Sequence, residues 1–384
     1  MNETWWRESK QLRDEQRAVI VLPAESSHLL TGPPGSGKTN LLLLRANYLY
    51  LAGHKNILVL VLTRTLQEFI SAGGTNYKFP VNKVKTTRRW QLDFLREYNE
   101  SVDLSGTFDD QRRKIVEKIE SIANERHLGQ LYDTVLIDEA QDLLPGEVEL
   151  FKRLSRNIFA TADVQQKIYA VPDSFPAVRK NVNAEHRLQY HYRVGRDICR
   201  LADALQKGNP QHHLLSEFCN YDEAARPSSA ELVAADDFSA QIEMALESLS
   251  SQLEAYPEEL VGIICPSAEK MLEIWDRVRS SKFGKIAVLQ GGGENAPFRP
   301  ETRLCVSTLH SAKGLEFRAV HVLGCEFLGA SPYSLNLTYT AVTRTKTSLR
   351  MYYSHRVPGF LEQAFADMQL EHNPPSFDDI FGQE

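Results

Sequence analysis

A chain of 384 residues that is 42% hydrophobic and 24% charged has room for two or three domains of ordinary globular composition, which excludes a disordered polymer. Its formal net charge of −6 speaks against non-specific coating of nucleic acid, which needs a basic balance, but leaves room for a local basic channel. Five cysteines, at 199, 219, 265, 305 and 325, form no C-x-x-C pair. They predict neither a disulfide framework nor a zinc site, and a reducing cytoplasm is the expected compartment.

Short continuous apolar runs alternate with helix-period segments along the chain, the pattern of an α/β protein whose parallel sheets are covered on both faces. In chain order the predicted strands include Ile57 to Leu62, Thr134 to Ile137, Asn157 to Ala160, Val261 to Cys265, Leu304 to Val306 and Ala319 to Leu323. Predicted helices fall at Lys38 to Leu51, Trp90 to Tyr98, Gln111 to Arg126, Glu147 to Ser155, Gly195 to Lys207, Phe238 to Ala255, Ala268 to Arg279 and Ser334 to Thr345. The segment Phe94 to Arg126 is rich in both charge signs and reads as a solvated helical insertion, about residues 90–130. A boundary near Gly195 divides the chain into residues 1–194 and 195–384. Turn chemistry at Gly208-Asn209-Pro210 and Pro227-Ser228-Ser229 makes Gly208 to Ala235 a surface connection. The longest apolar run, Ile57 to Leu62, is too short to span a bilayer, so no membrane partner is expected.

Gly32-Pro33-Pro34-Gly35-Ser36-Gly37-Lys38-Thr39 stands between the apolar His28-Leu29-Leu30 and the helical Leu41 to Leu44. Strand, glycine-rich turn and helix in this order form a phosphate-binding loop. Glycines let successive backbone N–H groups turn toward phosphate, Lys38 supplies charge to the β- and γ-phosphates, and the Thr39 hydroxyl can ligate Mg2+. Downstream, Tyr132 to Ile137 leads directly into Asp138-Glu139-Ala140-Gln141-Asp142. Carboxylates after a buried parallel strand reach the crevice at its C-terminal end, where a phosphate loop also lies. Asp138 is suited to hold Mg2+ with Thr39, and Glu139 to deprotonate an attacking water.

Asp138 to Asp142 resembles the second motif of superfamily 1 helicases of the UvrD, Rep and PcrA type, and further family motifs follow in family order over roughly residues 12–361. The resemblance implies two RecA-like domains of a P-loop NTPase, with ATP and Mg2+ as cofactors and single-stranded or tailed DNA as partner. Leu12 to Arg17 resembles the adenine-reading motif, with Gln16 contacting the base. Thr63 and Arg64 resemble a strand-end motif on the nucleic-acid backbone. Thr86 and Arg88 belong to the next such element, where Arg88 replaces the usual His. Phe159 to Tyr169 is similar to the third motif, which implies Gln166 as γ-phosphate sensor; Tyr169, with Trp90, is a candidate to make up for stacking aromatics that the family has and this chain lacks. Leu188 to Arg193 resembles the fourth, with Tyr192 stacking on adenine and Arg193 reaching the γ-phosphate. Val306 to Phe317 is similar to the fifth, placing Thr308 and His310 on nucleic acid and Gly314 and Glu316 at the nucleotide. Leu337 to Thr345 is similar to the sixth, which makes Arg344 the arginine finger.

Departures from the family are concrete. Asn40 replaces the Arg that commonly follows the loop Thr, Leu62 stands for a frequent Phe and Val171 for a frequent Trp. Each lost stacking platform costs roughly 1 to 3 kcal/mol per base. Little sequence is available for accessory domains between Arg64 and Leu131 or between Gly293 and Leu304. The first expectation is therefore a compact ATP-dependent DNA translocase or helicase, moving 3′ to 5′ by resemblance. The second is a DNA-stimulated ATPase that serves as sensor for a partner nuclease, as in bacterial antiphage complexes. A third, an ATP-dependent switch without nucleic acid, is disfavoured by Thr308-Leu309-His310 and the Thr63-Arg64 and Thr86 to Arg89 clusters.

Overall fold

The computed structural model describes residues 12–72, 77–163, 172–210, 212–329 and 332–372. The chain forms two compact units, Met1–Tyr190 with Pro297–Pro300, and His191–Ala296 with Glu301–Glu384. The division falls before the boundary that the sequence suggests near Gly195, because the intervening backbone is bonded into the second unit. There His191 N donates to Phe218 O at 3.2 Å, and Gly195 N to Lys346 O at 2.8 Å.

The first unit runs α1 (Asp14–Ile20), β1 (His28–Thr31), α2 (Lys38–Leu51), β2 (Ile57–Val61), α3 (Arg64–Ala72), β3 (Val84–Thr86), α4 (Thr87–Glu97), α5 (Phe108–Glu125), β4 (Tyr132–Ile137), α6 (Pro145–Arg153), β5 (Ser155–Ala162), α7 (Phe175–Lys180) and β6 (Ala184–Arg187). Its sheet has the order β3-β2-β4-β5-β1-β6, and every pairing is parallel. Central strands β1, β2 and the C-terminal part of β4 are buried, which explains their unbroken apolar runs.

The charged segment before β4 is no solvated insertion. Helix α5 is amphipathic: Ile115, Val116, Ile119, Ile122 and Ala123 join the core with Trp90, Phe94 and Phe151. The charges that suggested solvation lie on the opposite face, except Arg112, which is buried and bonded to Glu147 Oε1 at 3.2 Å and, through Nη2, to Glu147 Oε2 and the Asp142 carbonyl. Gln91 Nε2 donates to the same Glu147 carboxylate at 2.9 Å.

The second unit runs α8 (Arg196–Leu205), β7 (Ser229–Ala235), α9 (Phe238–Ala255), β8 (Val261–Cys265), α10 (Ala268–Ser280), β9 (Ala287–Gly291), β10 (Glu294–Asn295), β11 (Leu304–Thr308), α11 (Leu309–Ala312), β12 (Phe317–Val322), α12 (Pro332–Thr343), β13 (Thr345–Ser354) and α13 (Gly359–His372). The sheet order is β10-β9-β11-β8-β12-β13-β7; the two-residue β10 is antiparallel to β9, and the other pairings are parallel. The end of the stretch assigned to a surface connection is therefore the edge strand β7, paired along its length with β13 from Ser348↔Ser229 to Ser354↔Ala235. It carries no continuous apolar run because it is only half-buried. Among the described residues no helix is long and apolar enough to cross a membrane. Parallel sheets with helices between the strands are the architecture of two RecA-like domains of a P-loop NTPase, in the α/β class.

Candidate active site

The phosphate loop joins β1 to α2. Gly35 and Gly37 have φ values of 73° and 91°, a left-handed backbone that side chains disfavour, and Gly37 is the residue from which α2 starts. A Cβ on Gly32 would come within 2.9 Å of Leu188 Cβ and 3.0 Å of Ser36 Oγ, so the loop admits nothing larger. Ser36 Oγ is buried and has no hydrogen-bond partner. Lys38 Nζ donates to the Gly32 and Pro33 carbonyls at 2.7 and 3.0 Å and lies 3.4 Å from Asp163 Oδ2. The ammonium thus folds back over the loop that would cradle phosphate. Asn40 is buried in the first turn of α2.

The acidic pair meets this loop at the end of β4. Thr39 Oγ1 donates to Asp138 Oδ2 at 3.0 Å, and Thr161 Oγ1, from β5, donates to Asp138 Oδ1. Burial, and secondarily the Glu139 charge, raise the Asp138 carboxyl to about 6, so a cation between Thr39 and Asp138 would restore its ionised form. Glu139 is buried and sits in the left-handed region, at φ 52° and ψ 48°. For a residue other than glycine that conformation costs on the order of 1 to 2 kcal/mol, and such strain collects at functional turns. Its carboxylate accepts from Gln141 Nε2, while Gln141 Oε1 accepts from Asp163 N at 3.0 Å. Gln141, Thr161 and Asp163 complete a network to which sequence reasoning gave no role, although all three lie within the second and third motif stretches.

Gln16 is positioned from α1. Its Nε2 donates to Ser36 O at 2.9 Å and its Oε1 accepts from Arg13 N at 3.1 Å, tying the Gln16 amide to the phosphate loop. The fully buried Arg45 of α2 clamps the other end of α1, donating to Ile20 O at 2.9 Å and Pro23 O at 2.8 Å. Burial lowers its guanidinium to about 10. Arg45 carries no motif signature.

Tyr192, Arg193, Gly314, Glu316 and Arg344, expected at the nucleotide, lie in the second unit. Arg193 Nη1 is bonded to Glu316 Oε2, and Lys346 Nζ lies 3.7 Å from the same oxygen. Burial alone would raise the Glu316 carboxyl, but Arg193 and Lys346 outweigh it and hold it at about 2. Arg344 ends α12 and donates its backbone N–H to Thr340 O at 3.1 Å; its side chain is buried and also depresses Glu316. Lys346, 3.8 Å from Glu259, which also bonds Arg318, extends a buried ionic network that the sequence did not reveal. Tyr192 is half-buried, and Gly314 lies in the turn between α11 and β12.

Among the nucleic-acid candidates, Thr63 accepts from Leu66 N at 3.2 Å at the start of α3, and Arg64 beside it is exposed. Thr86 is buried and caps α4, accepting from Arg89 N at 3.1 Å. Arg88 turns inward, with Nη2 donating to Gln111 Oε1 at 2.9 Å. Thr308 caps α11 by accepting from Ser311 N at 3.2 Å, and His310 is exposed. Gln166 and Tyr169 lie outside the described residues.

A family model described as the UvrD-like helicase C-terminal domain matches residues 303–352, and one described as an AAA domain matches residues 15–172. No curated protein matches the chain. Among solved structures it is similar to the C-terminal domain of a possible DNA helicase from Lactobacillus plantarum WCFS1, at 19% identity and a TM-score of 0.33, covering 45% of this chain and 93% of that one. With the motif series and the phosphate loop, the two domain matches support a UvrD-like superfamily 1 helicase and indicate an ATP-hydrolysing enzyme of the DNA helicase type.

Proposed function

We propose that the chain couples ATP hydrolysis to movement along single-stranded DNA, 3′ to 5′. The observation that carries the ATP-dependent part of this reading is the Thr39 to Asp138 hydrogen bond, at 3.0 Å, with Lys38 held over the same loop by the Gly32 and Pro33 carbonyls; movement and its direction rest on the resemblance of the motif series. The donor set suits Mg2+: a hydroxyl and a carboxylate, both hard oxygens, with water able to fill other positions. Thr39 and Asp138 would hold the ion, which when bound neutralises charge on the β- and γ-phosphate oxygens.

The chain's own groups divide the remaining work. Gly32, Pro33, Gly35, Ser36 and Gly37 wrap the phosphates, with Asn40 supporting the first turn behind them, and Gln16 and Tyr192 read and stack the adenine. Glu139, strained and oriented by Gln141, takes the proton of the attacking water. In the first unit Lys38 and Gln166 serve the γ-phosphate; for the second unit the family resemblance implies γ-phosphate roles for Arg193 and Arg344 and a nucleotide role for Gly314 and Glu316. Backbone contacts to DNA come from Thr63, Arg64, Thr86 and Arg88 of the first unit and, by the family resemblance, from Thr308 and His310 of the second, with Tyr169 as a base contact. Arg88 must first leave Gln111.

A second reading, a DNA-stimulated ATPase that regulates a partner nuclease in an antiphage complex, is favoured by the compactness of the insertion points. Only α4 and α5 lie between β3 and β4, and α5 packs in the core. Between β9 and β11 stand the two residues of β10 and a short loop. The test is the ATPase rate with and without single-stranded DNA, run beside strand displacement on 3′-tailed and 5′-tailed duplexes. Stimulation with displacement from the 3′ tail supports the translocase; stimulation without displacement supports the regulatory ATPase. Absence of stimulation contradicts both.

A further inference from the structure

Cysteine spacing predicts no metal site, yet the second unit brings ligand atoms of His191, Cys199 and Cys219 within 4.8 Å of one another. The backbone causes the meeting. His191 pairs with Cys219 in an isolated parallel bridge, and Asn220 N donates to His191 O at 3.0 Å. Cys199 enters from the first turn of α8. His191 and Cys199 are buried, and Cys219 is half-buried.

Three donor–donor distances match edges of a tetrahedral centre. Cys199 Sγ lies 3.6 Å from His191 Nε2 and 3.6 Å from Val194 O, and Cys219 Sγ lies 3.4 Å from the same carbonyl. A zinc centre with metal–sulfur bonds of about 2.3 Å and metal–nitrogen or metal–oxygen bonds of roughly 2.1 Å has edges of about 3.6 Å between sulfur and the lighter donors. We propose that His191, Cys199 and Cys219, with the Val194 carbonyl as fourth donor, form a binding site for a Zn2+ ion. Two thiolates balance a divalent cation, so the filled site brings no net charge into buried surroundings. Two soft sulfurs and an imidazole also select zinc over the Mg2+ of the nucleotide site.

Binding exchanges existing bonds. Two thiol protons leave to solvent as the sulfurs coordinate, and His191 Nε2 gives up the Leu215 carbonyl, now 2.8 Å away. The imidazole proton moves to Nδ1, which is buried and has no hydrogen-bond partner. The ion would tie the segment ending in Tyr192 and Arg193 to α8 and to the turn before Asn220, fixing the backbone from which Arg193 reaches Glu316.

Cobalt titration of the purified, reduced protein tests the site without reference to ATP turnover. One equivalent of Co2+ should produce a thiolate-to-cobalt charge-transfer band that one equivalent of Zn2+ abolishes. Cys219→Ser, at the most exposed ligand, should weaken binding on the order of 100-fold or more, while Cys305→Ser leaves the band unchanged. Cys219→His, which keeps a donor, should retain tetrahedral cobalt with weaker charge transfer, guarding against loss of fold. No band in the wild type, or the full band in folded Cys219→Ser, overturns the site. A Cys199–Cys219 disulfide that persists in the reduced protein overturns it as well.

Discussion

In the first unit Lys38 is held by two carbonyls of its own loop and by Asp163, whereas in the second Arg193 and Lys346 converge on the carboxylate of Glu316. The difference bears on what an incoming triphosphate must displace. Around Lys38 it competes with two short bonds to neutral carbonyl dipoles, at 2.7 and 3.0 Å, and with the longer 3.4 Å contact to Asp163. Around Arg193 an anion competes with a buried carboxylate already held at about 2, so recruiting that arginine requires an equally good set of charge-assisted bonds. The Lys38 cluster is therefore the more easily opened of the two to an incoming anion, and the Glu316 cluster the more firmly closed.

The largest effects should fall on hydrolysis. Glu139→Gln should lower turnover on the order of 10³-fold while retaining nucleotide, measured by steady-state ATPase beside equilibrium ATP binding. Robust turnover would remove Glu139 as base. Arg344→Ala should spare ATP binding and cost on the order of 10³ in rate; near-normal hydrolysis would show that the second cluster does not reach the reaction. Lys38→Ala should abolish both tight binding and turnover, which separates its role from that of Glu139.

Stability should then distinguish the clusters. Glu316→Gln leaves Arg193 and Lys346 without their buried counter-charge and should cost about 3 to 5 kcal/mol in urea unfolding. The folded carboxyl lies below its unfolded value of about 4.3, so its contribution is complete above that pH. It is lost as pH falls toward about 2. Comparing urea midpoints at pH 6 and pH 3 for the wild type and Glu316→Gln should show a smaller pH dependence in the variant. The smallest effect belongs to exposed Arg64: Arg64→Ala should weaken DNA binding without changing sequence preference and reduce the salt slope by about one.

The phosphate loop, its helix and the acidic strand end were legible because each is local: glycine spacing, a following apolar helix and carboxylates after a buried run. Helix boundaries at Lys38–Leu51 and Phe238–Ala255 coincide with their periodic segments for the same reason. Strands β6 and β13 were not legible, since β6 reads Ala-Glu-His-Arg and β13 interleaves Thr, Lys, Ser and Arg with its apolar residues. The buried partnerships were equally hidden. Arg112 finds Glu147, Arg45 finds the end of α1, and Lys346 finds Glu259 and Glu316 only after the strands are stacked. Such charges look like surface residues in sequence, and for α5 they produced the mistaken picture of a solvated insertion. The cysteines teach the same point, because a backbone bridge supplies the proximity that their spacing lacks.

The most direct measurement is a crystal structure with a non-hydrolysable ATP analogue and Mg2+. Lys38 Nζ should leave the Gly32 and Pro33 carbonyls for the β- and γ-phosphates, with the ion on Thr39 and Asp138. A nucleotide bound elsewhere, with Lys38 still closed over its loop and Asp138 still hydrogen-bonded only to protein hydroxyls, would contradict the assignment.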